Sequence, residues 1–522
     1  MPRGRLTVEP QRPRSADGVV ARSPTVAARG MAATSHPLAT RAALRMLEEG
    51  GNACDAAVTA AAVLCVCEPM STGIGGDAFA LVWRDGELTG LNASGRAPRT
   101  ADPDVLDAAP LYGPRSVTVP GAVAGWADLL ARHGTRGLDR CLAPAIDAAE
   151  AGFAATPVIA RMWQRLAPAL VADPELSSVF LPAPSVGEIV RLPALGATLR
   201  RIAGDGPDAL YRGPVAAAIA RASWLGEEDL AEHRSEWVEP LRLRYRDVEV
   251  AELPPNGQGA AALQALALAE GWDMAALEPV DRIHIQAEAV KLAFADAYRH
   301  IADGPLPEGY LEEAYIAERR RLLNPRYSGA PRAGELPSGG TVYLCVVDEG
   351  RMACSFIQSL YHGFGARVGA ADTGIALQNR GACFTLARGH PNRLAPGRRP
   401  FHTIIPGMLV RDGRLIGPFG VMGGHMQPQG HLQLVSAIVD RGLDPQAALD
   451  EPRFRVDGVG PEFELALEPG LWPHEKQLSK RGHKVVKDED PIGFGGGQAI
   501  VVRGEALAAG SEPRKDGHAA GY

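Results

Sequence analysis

A proline-rich stretch ending in Ser338-Gly339-Gly340 runs directly into two strand signatures joined by a tight turn. Residues 303–340 hold Pro305, Pro307, Pro325, Pro331 and Pro337 and read as an exposed connector. Thr341–Asp348 (TVYLCVVD) and Arg351–Gln358 (RMACSFIQ) are dense in β-formers, and Asp348-Glu349-Gly350 supplies the turn of a hairpin. A glycine-ended connector that feeds a buried strand opening with a hydroxyl residue marks a place where the chain can be cut.

Composition removes several classes of function. The chain has 522 residues, a length that suggests about two to four domains. It is 46% hydrophobic and 22% charged, ordinary for a soluble globular protein with a large core. A formal net charge of −7, with no basic run interleaved with aromatics, argues against nucleic acid or an anionic membrane as partner. The polar, Pro/Arg-rich start (MPRGRLTVEPQRPRSADG) lacks the apolar stretch of a secretion signal, and residues 1–24 read as a mobile leader. No segment approaches the roughly 18 apolar residues of a membrane helix, so a cytoplasmic location is expected. The odd count of seven cysteines fits reduced thiols better than a disulfide framework. Cys65 and Cys67 make C-x-C, which is not a zinc spacing.

Along the chain, Pro37–Glu49 and a second, alanine-rich run from Asn52 to Glu68 read as helices separated by Gly50-Gly51, with Asn52 as cap. A glycine-rich turn (71–77, STGIGGD) follows, then the strand-like Ala78–Trp83. The turn follows a helix and precedes a strand, the reverse of a dinucleotide fingerprint, so close backbone approach explains its glycines better than a nucleotide. Val117–Trp126 reads as a strand entering a helix. Asp281–His300 reads as a long helix with Ile283, Ala287, Val290 and Phe294 on one face and Glu288, Lys291 and Arg299 off it.

Six segments then carry a resemblance. Met31–Ala39 (MAATSHPLA), Gly50–Val58 (GGNACDAAV), Glu68–Asp77 (EPMSTGIGGD), Val119–Trp126 (VPGAVAGW), Ala287–Asp296 (AEAVKLAFAD) and Asp516–Tyr522 (DGHAAGY) resemble the γ-glutamyltranspeptidase family, in that family's order. The resemblance implies an α+β fold, the αββα four-layer sandwich of the N-terminal nucleophile hydrolases. It implies one composite domain from a self-cleaving precursor, with residues 25–340 as large subunit and 341–522 as small subunit. The two fragments are expected to stay associated, with pairing into a dimer of heterodimers left open.

In that resemblance Thr341 matches the nucleophile and Gly340–Thr341 the cleavage site. The chemistry is self-consistent. The Thr341 hydroxyl attacks the Gly340 carbonyl, the ester is hydrolysed, and the freed α-amine, with a reference pKa of about 7.7–8.0, serves as base for its own hydroxyl. Val342 and Tyr343 stand where the family has a threonine and a histidine, so a hydroxyl thought to assist the nucleophile is expected to be missing. Gly423 and Gly424 match the oxyanion loop. Gln427, Gln429, His425 and His431 either line the pocket or brace backbone, and a His425–His431 metal site is not expected for want of a third ligand.

The substrate-binding positions depart from the transpeptidases. Tyr361 replaces an asparagine, Arg380 a glutamine, Cys383 an aspartate, and His402 and Thr403 two serines, while Asn379 is kept. The early arginine falls at Ser94, with Arg96 two residues away. Without the aspartate, a γ-glutamyl ammonium loses a charge-assisted bond of about 1.5–3 kcal/mol. Together with SGRAP (94–98), SLYHGFG (359–365) and QNRG (378–381), this is more similar to the oxamate amidohydrolase-type branch. Ser359, Tyr361, His362, Asn379, Arg380, His402, Thr403 and Arg96 are then expected to bind or orient a small acid. Tyr361 as a core aromatic and Arg380 as a structural ion-pair partner are the alternatives. A lid shortened between Phe384 and Pro400 is expected to leave the site open.

The function implied is self-processing hydrolysis of a small carboxylate-bearing amide, with no cofactor and no metal. Three alternatives accompany it: γ-glutamyl transfer or hydrolysis, hydrolysis of a carbon–carbon bond beside an oxalyl-like group, and an uncleaved binding protein.

Overall fold

The computed structural model describes residues 22–331, 340–458 and 462–522. Most of the leader (residues 1–21) and the connector residues 332–339 lie outside the described residues.

Two sheets of seven strands form the centre. In chain order their strands are β1 (Thr25–Ala27), β2 (Met31–Thr34), β3 (Asp77–Arg84), β4 (Glu87–Ala93), β5 (Glu236–Val238), β6 (Leu241–Tyr245) and β7 (Val248–Glu252). They continue as β8 (Gly340–Val347), β9 (Ala353–Tyr361), β10 (Gly407–Arg411), β11 (Arg414–Met422), β12 (Gly496–Arg503), β13 (Ala506–Ser511) and β14 (His518–Gly521). One sheet runs β14-β2-β8-β9-β3-β4-β5 and the other β1-β13-β12-β11-β10-β7-β6, each pairing antiparallel.

The hairpin expected at 341–358 is β8–β9 at the centre of its sheet, and its side chains show why both runs are apolar throughout. Val342, Leu344 and Val346 pack outward with helices Pro37–Glu48 and Ala53–Cys67. Tyr343, Cys345 and Val347 alternate into the layer between the sheets, beside Met408, Met422 and Ile500. The period of two places every second residue on each face, and both faces are covered. A third apolar layer joins the second sheet to helices Gly259–Ala269, Pro279–His300 and Met426–Val439. The result is helix, sheet, sheet, helix.

Asn52 caps the second helix in a reciprocal box with Asp55. All seven cysteines are free and buried. Among the described residues no helix is long and apolar enough to cross a membrane.

Three expectations need correction. Val117–Val119 is not a strand; the helix begins at Ala122. The described part of the connector contains a helix, Glu313–Arg320. Glu288 and Lys291 are not on a solvent face but buried, because the segment 324–329 folds over them. Lys291 Nζ donates to Glu288 Oε1 at 2.8 Å and to Ser328 Oγ at 2.6 Å, and Gly329 N–H donates to Glu288 Oε2 at 2.7 Å. His284 and His483 join this cluster at 2.7 Å, and the ligand atoms of His284, Glu288 and His483 lie within 4.8 Å of one another. The Lys291 ammonium already neutralises Glu288 there, which leaves that carboxylate little to offer a metal ion.

Candidate active site

Thr341 is the second residue of the central strand β8, and a register shift surrounds it. Gly340 pairs with Tyr361 and Val342 with Gln358, so β9 carries two residues, Ser359 and Leu360, opposite Thr341. The extra residue bends β9, with Tyr361 at φ +80°, and directs the Ser359 hydroxyl at the threonine. Thr341 Oγ1 donates to Ser359 Oγ at 3.3 Å and accepts from Gln427 Nε2 at 3.3 Å. Although Val342 and Tyr343 remove one hydroxyl, the fold supplies another from Ser359.

Gly423 and Gly424 connect β11 to helix Met426–Val439. Their φ values are +125° and +61°, and a Cβ on Gly423 would stand 3.0 Å from Gly495 Cα, so glycine is required there. Among the described residues neither N–H has a hydrogen-bond acceptor. Gln258 Nε2 holds the loop by donating to Gly424 O at 2.9 Å and Thr403 O at 2.6 Å. The positive end of the following helix dipole favours negative charge at this point.

Thr341, Gly423, His425, His362 and Tyr298 share one cavity of about 810 Å³. Of the residues that follow the paired glycines, Gln427 reaches the threonine and His425 the cavity. Gln429 braces the backbone of His425 and Val456, and His431 pairs with Glu252 at 2.6 Å.

The expected acid-binding residues divide. Arg380 is fully buried, one hydroxyl behind Thr341. It donates to Thr403 Oγ1 at 2.8 Å and Ser359 Oγ at 3.3 Å, and its guanidinium lies 4.3 Å from the centre of the Tyr361 ring. It is not on the cavity wall. Asn379 braces backbone, accepting from His362 N–H and donating to Leu111 O. His362 lines the cavity and bonds Tyr112 at 3.2 Å.

Arg96 does not reach the site. It spans Glu236 at 2.7 Å, Asp303 at 3.2 Å and Gly397 O at 3.0 Å. His402 is likewise committed, with Nε2 at 3.0 Å from Asp77 Oδ2 and Nδ1 accepting from Ile404 N–H. Those partners make it the neutral Nε2–H tautomer, and burial holds its pKa well below the usual histidine value. Residues of the 384–400 segment pack against Ala97 and Ala101 rather than lining the cavity.

Sequence reading missed Asp77. Besides His402, its carboxylate accepts from Gly95 N–H at 2.9 Å, Gly121 N–H at 3.2 Å and Gln378 Nε2 at 2.9 Å. It ties four segments together. Burial raises its pKa to about 6 against the pull of Arg380 and these donors. The only signal was a lone acid closing a glycine turn. Lys515 and Arg367, also unmarked beforehand, stand on the cavity wall.

An αββα sandwich whose central strand carries a buried hydroxyl near its start, on a cavity shared with a paired-glycine turn, is the architecture of an N-terminal nucleophile hydrolase. Residues 39–522 match the family model described as gamma-glutamyltranspeptidase. The chain is 35% identical over 518 residues to the glutathione hydrolase-like YwrD proenzyme of Bacillus subtilis, covering 94% of this chain and 98% of that one. It is 36% identical over 530 residues to the oxamate amidohydrolase proenzyme of Klebsiella pneumoniae, covering 96% and 100%. The crystal structure of a cephalosporin acylase from Bacillus halodurans matches with a TM-score of 0.92 and 42% identity over 99% of each chain. The protein belongs to the gamma-glutamyltranspeptidase family.

Proposed function

We propose that this protein cuts itself between Gly340 and Thr341 and then hydrolyses a small carboxylate-bearing amide through a threonyl ester. The observation that carries this reading is the Thr341 hydroxyl, held between Ser359 and Gln427 on the wall of a cavity that Gly423 also lines.

In the precursor, Thr341 Oγ attacks the Gly340 carbonyl, the peptide C–N bond breaks, and water hydrolyses the resulting ester. That leaves a Gly340 carboxylate and a free Thr341 amine. In turnover the amine takes the hydroxyl proton as Oγ attacks the substrate amide. The oxyanion receives the Gly423 and Gly424 N–H groups, each worth about 3 kcal/mol of barrier. Collapse expels the substrate's amine with the proton, and water releases the acid. Arg380, one hydroxyl away, disfavours the ammonium form of Thr341 and so keeps the base neutral near pH 7.

Strand order supports association of the two fragments after cutting. In the first sheet β8, β9 and β14 of the small fragment interleave with β2 and β3 of the large one.

A γ-glutamyl donor fits poorly. Arg380 Nη1 lies 3.9 Å from Cys383 Sγ, so a guanidinium occupies the neighbourhood where an ammonium needs an acid. Bulkier amides are the second reading, favoured by a cavity of about 810 Å³, far more than a small amide fills. The relatives named for oxamate and for cephalosporin stand on either side of this choice.

Intact mass spectrometry with sequencing of fragment N-termini tests the proposal. A fragment starting at Thr341 is expected. A chain still whole after long incubation at neutral pH overturns self-processing and favours a binding protein.

A further inference from the structure

Four cations line the cavity that contains Thr341, and among the described residues only two form ion pairs. Arg455 pairs with Asp457 at 2.7 Å and Asp488 at 3.3 Å, and Arg165 pairs with Asp490. Lys515 is only 9% exposed, and among the described residues its Nζ has one partner, the Met162 thioether at 3.6 Å. Glu68, Glu512, Asp490 and Asp516 are near enough to favour its charge, yet among the described residues none makes an ion pair with it. Arg367 stacks on Tyr112, its guanidinium carbon 3.6 Å from the ring centre, and among the described residues its buried Nε has no partner. It too forms no ion pair among the described residues.

Desolvating a cation without a counter-charge costs free energy, so charges inside proteins are normally paired. The same wall pairs Arg165 and Arg455 directly, whereas Lys515 has acids only at longer range and Arg367 has no ion pair among the described residues. Tyr112 holds the guanidinium by its ring, and the ring leaves the donor edge free. A carboxylate entering the cavity would complete both groups.

We propose that Lys515 and Arg367 form the carboxylate-binding subsite of this enzyme. It selects amides that carry an acid away from the scissile bond, a role that falls neither to Arg380 nor to Arg96. The inference rests on the reading of Thr341 as nucleophile. The acid can lie on the acyl side or the amine side of the amide, and the shared chemistry is a carboxylate.

The test uses processed enzyme with Lys515→Met and Arg367→Gln. Two substrate pairs are compared: glutaryl-p-nitroanilide with its methyl ester, and 4-acetamidobenzoate with its methyl ester. Whichever acid the wild type prefers over its ester reports the side. On that acid each substitution is expected to lower kcat/KM about 10- to 100-fold, mostly through KM. On the ester the loss stays below about threefold. Equal losses on acid and ester, or none on either, overturn the subsite. Calorimetric titration of glutarate and of 4-aminobenzoate into Thr341→Ala, with and without Lys515→Met, separates the two claims. Binding that Lys515→Met abolishes, in a protein whose wild type hydrolyses nothing, upholds the subsite and overturns the nucleophile reading. Absence of binding for both acids, or binding that Lys515→Met leaves intact, overturns the subsite.

Discussion

Two buried lysines separate what is structural in this molecule from what is open for chemistry. Lys291 is saturated: Glu288, Ser328 and Gly329 O surround it, and His483 Nδ1 lies 3.4 Å away. The histidine tautomers follow. His284 meets the Asn324 carbonyl through Nε2, so Nε2 carries its proton and Nδ1 accepts from His483 Nε2–H. His483 Nδ1 is then free to accept from Lys291. Lys515, also buried, has only a thioether within hydrogen-bond reach among the described residues. Burial alone therefore says little about function. Whether the polar groups around a charge are complete says much more.

Thr341→Ala is expected to leave a whole chain with no hydrolysis, seen by mass spectrometry and a substrate screen. Residual turnover would mean that the cavity's chemistry is not the threonine's. Lys291→Met strands Glu288 and should cost about 3–5 kcal/mol of stability by denaturant unfolding, with kcat/KM per folded molecule unchanged. Adding Glu288→Gln should recover part of the loss. A Lys291→Met protein as stable as wild type would erase the distinction between the two lysines.

Asp77 offers a pH test. Its pKa is raised from 3.8 to about 6 in the folded protein, so the fold binds the proton more tightly than the unfolded chain. Stability should therefore fall as pH rises from about 4 through about 6, by on the order of 3 kcal/mol. Asp77→Asn should flatten that window, whatever it costs through its contact with His402. Arg380→Gln should raise the pKa of the Thr341 amine and move the acid limb of kcat/KM upward by roughly one pH unit. An unmoved limb would return Arg380 to a purely packing role. Arg96→Ala should change stability by less than about 1 kcal/mol and leave KM alone, because its ion pairs are partly solvent-screened and it does not line the cavity.

Much of the scaffold was legible in the residues. Asn52 before an alanine run, Gly50-Gly51 after Glu49, and the Asp348-Glu349-Gly350 turn each act within a few positions, and each element formed with a boundary shift of a few residues at most. Glu288 and Lys291 misled because on a helix they read as a solvated i, i+3 pair, until a segment from 324–329 covered them.

The sequence by itself determined most of the central strands and helices, the family, and the threonine near the start of the central strand, because local propensity and motif order act between near neighbours. Only the tertiary structure decided which charges are spent. Arg380 was withdrawn behind Ser359, Arg96 was taken by Glu236 and Asp303, and His402 was taken by Asp77, 325 positions away. Lys515 and Arg367 were left on the wall. Electrostatic pairing depends on distance in space, and no spacing along the chain encodes it.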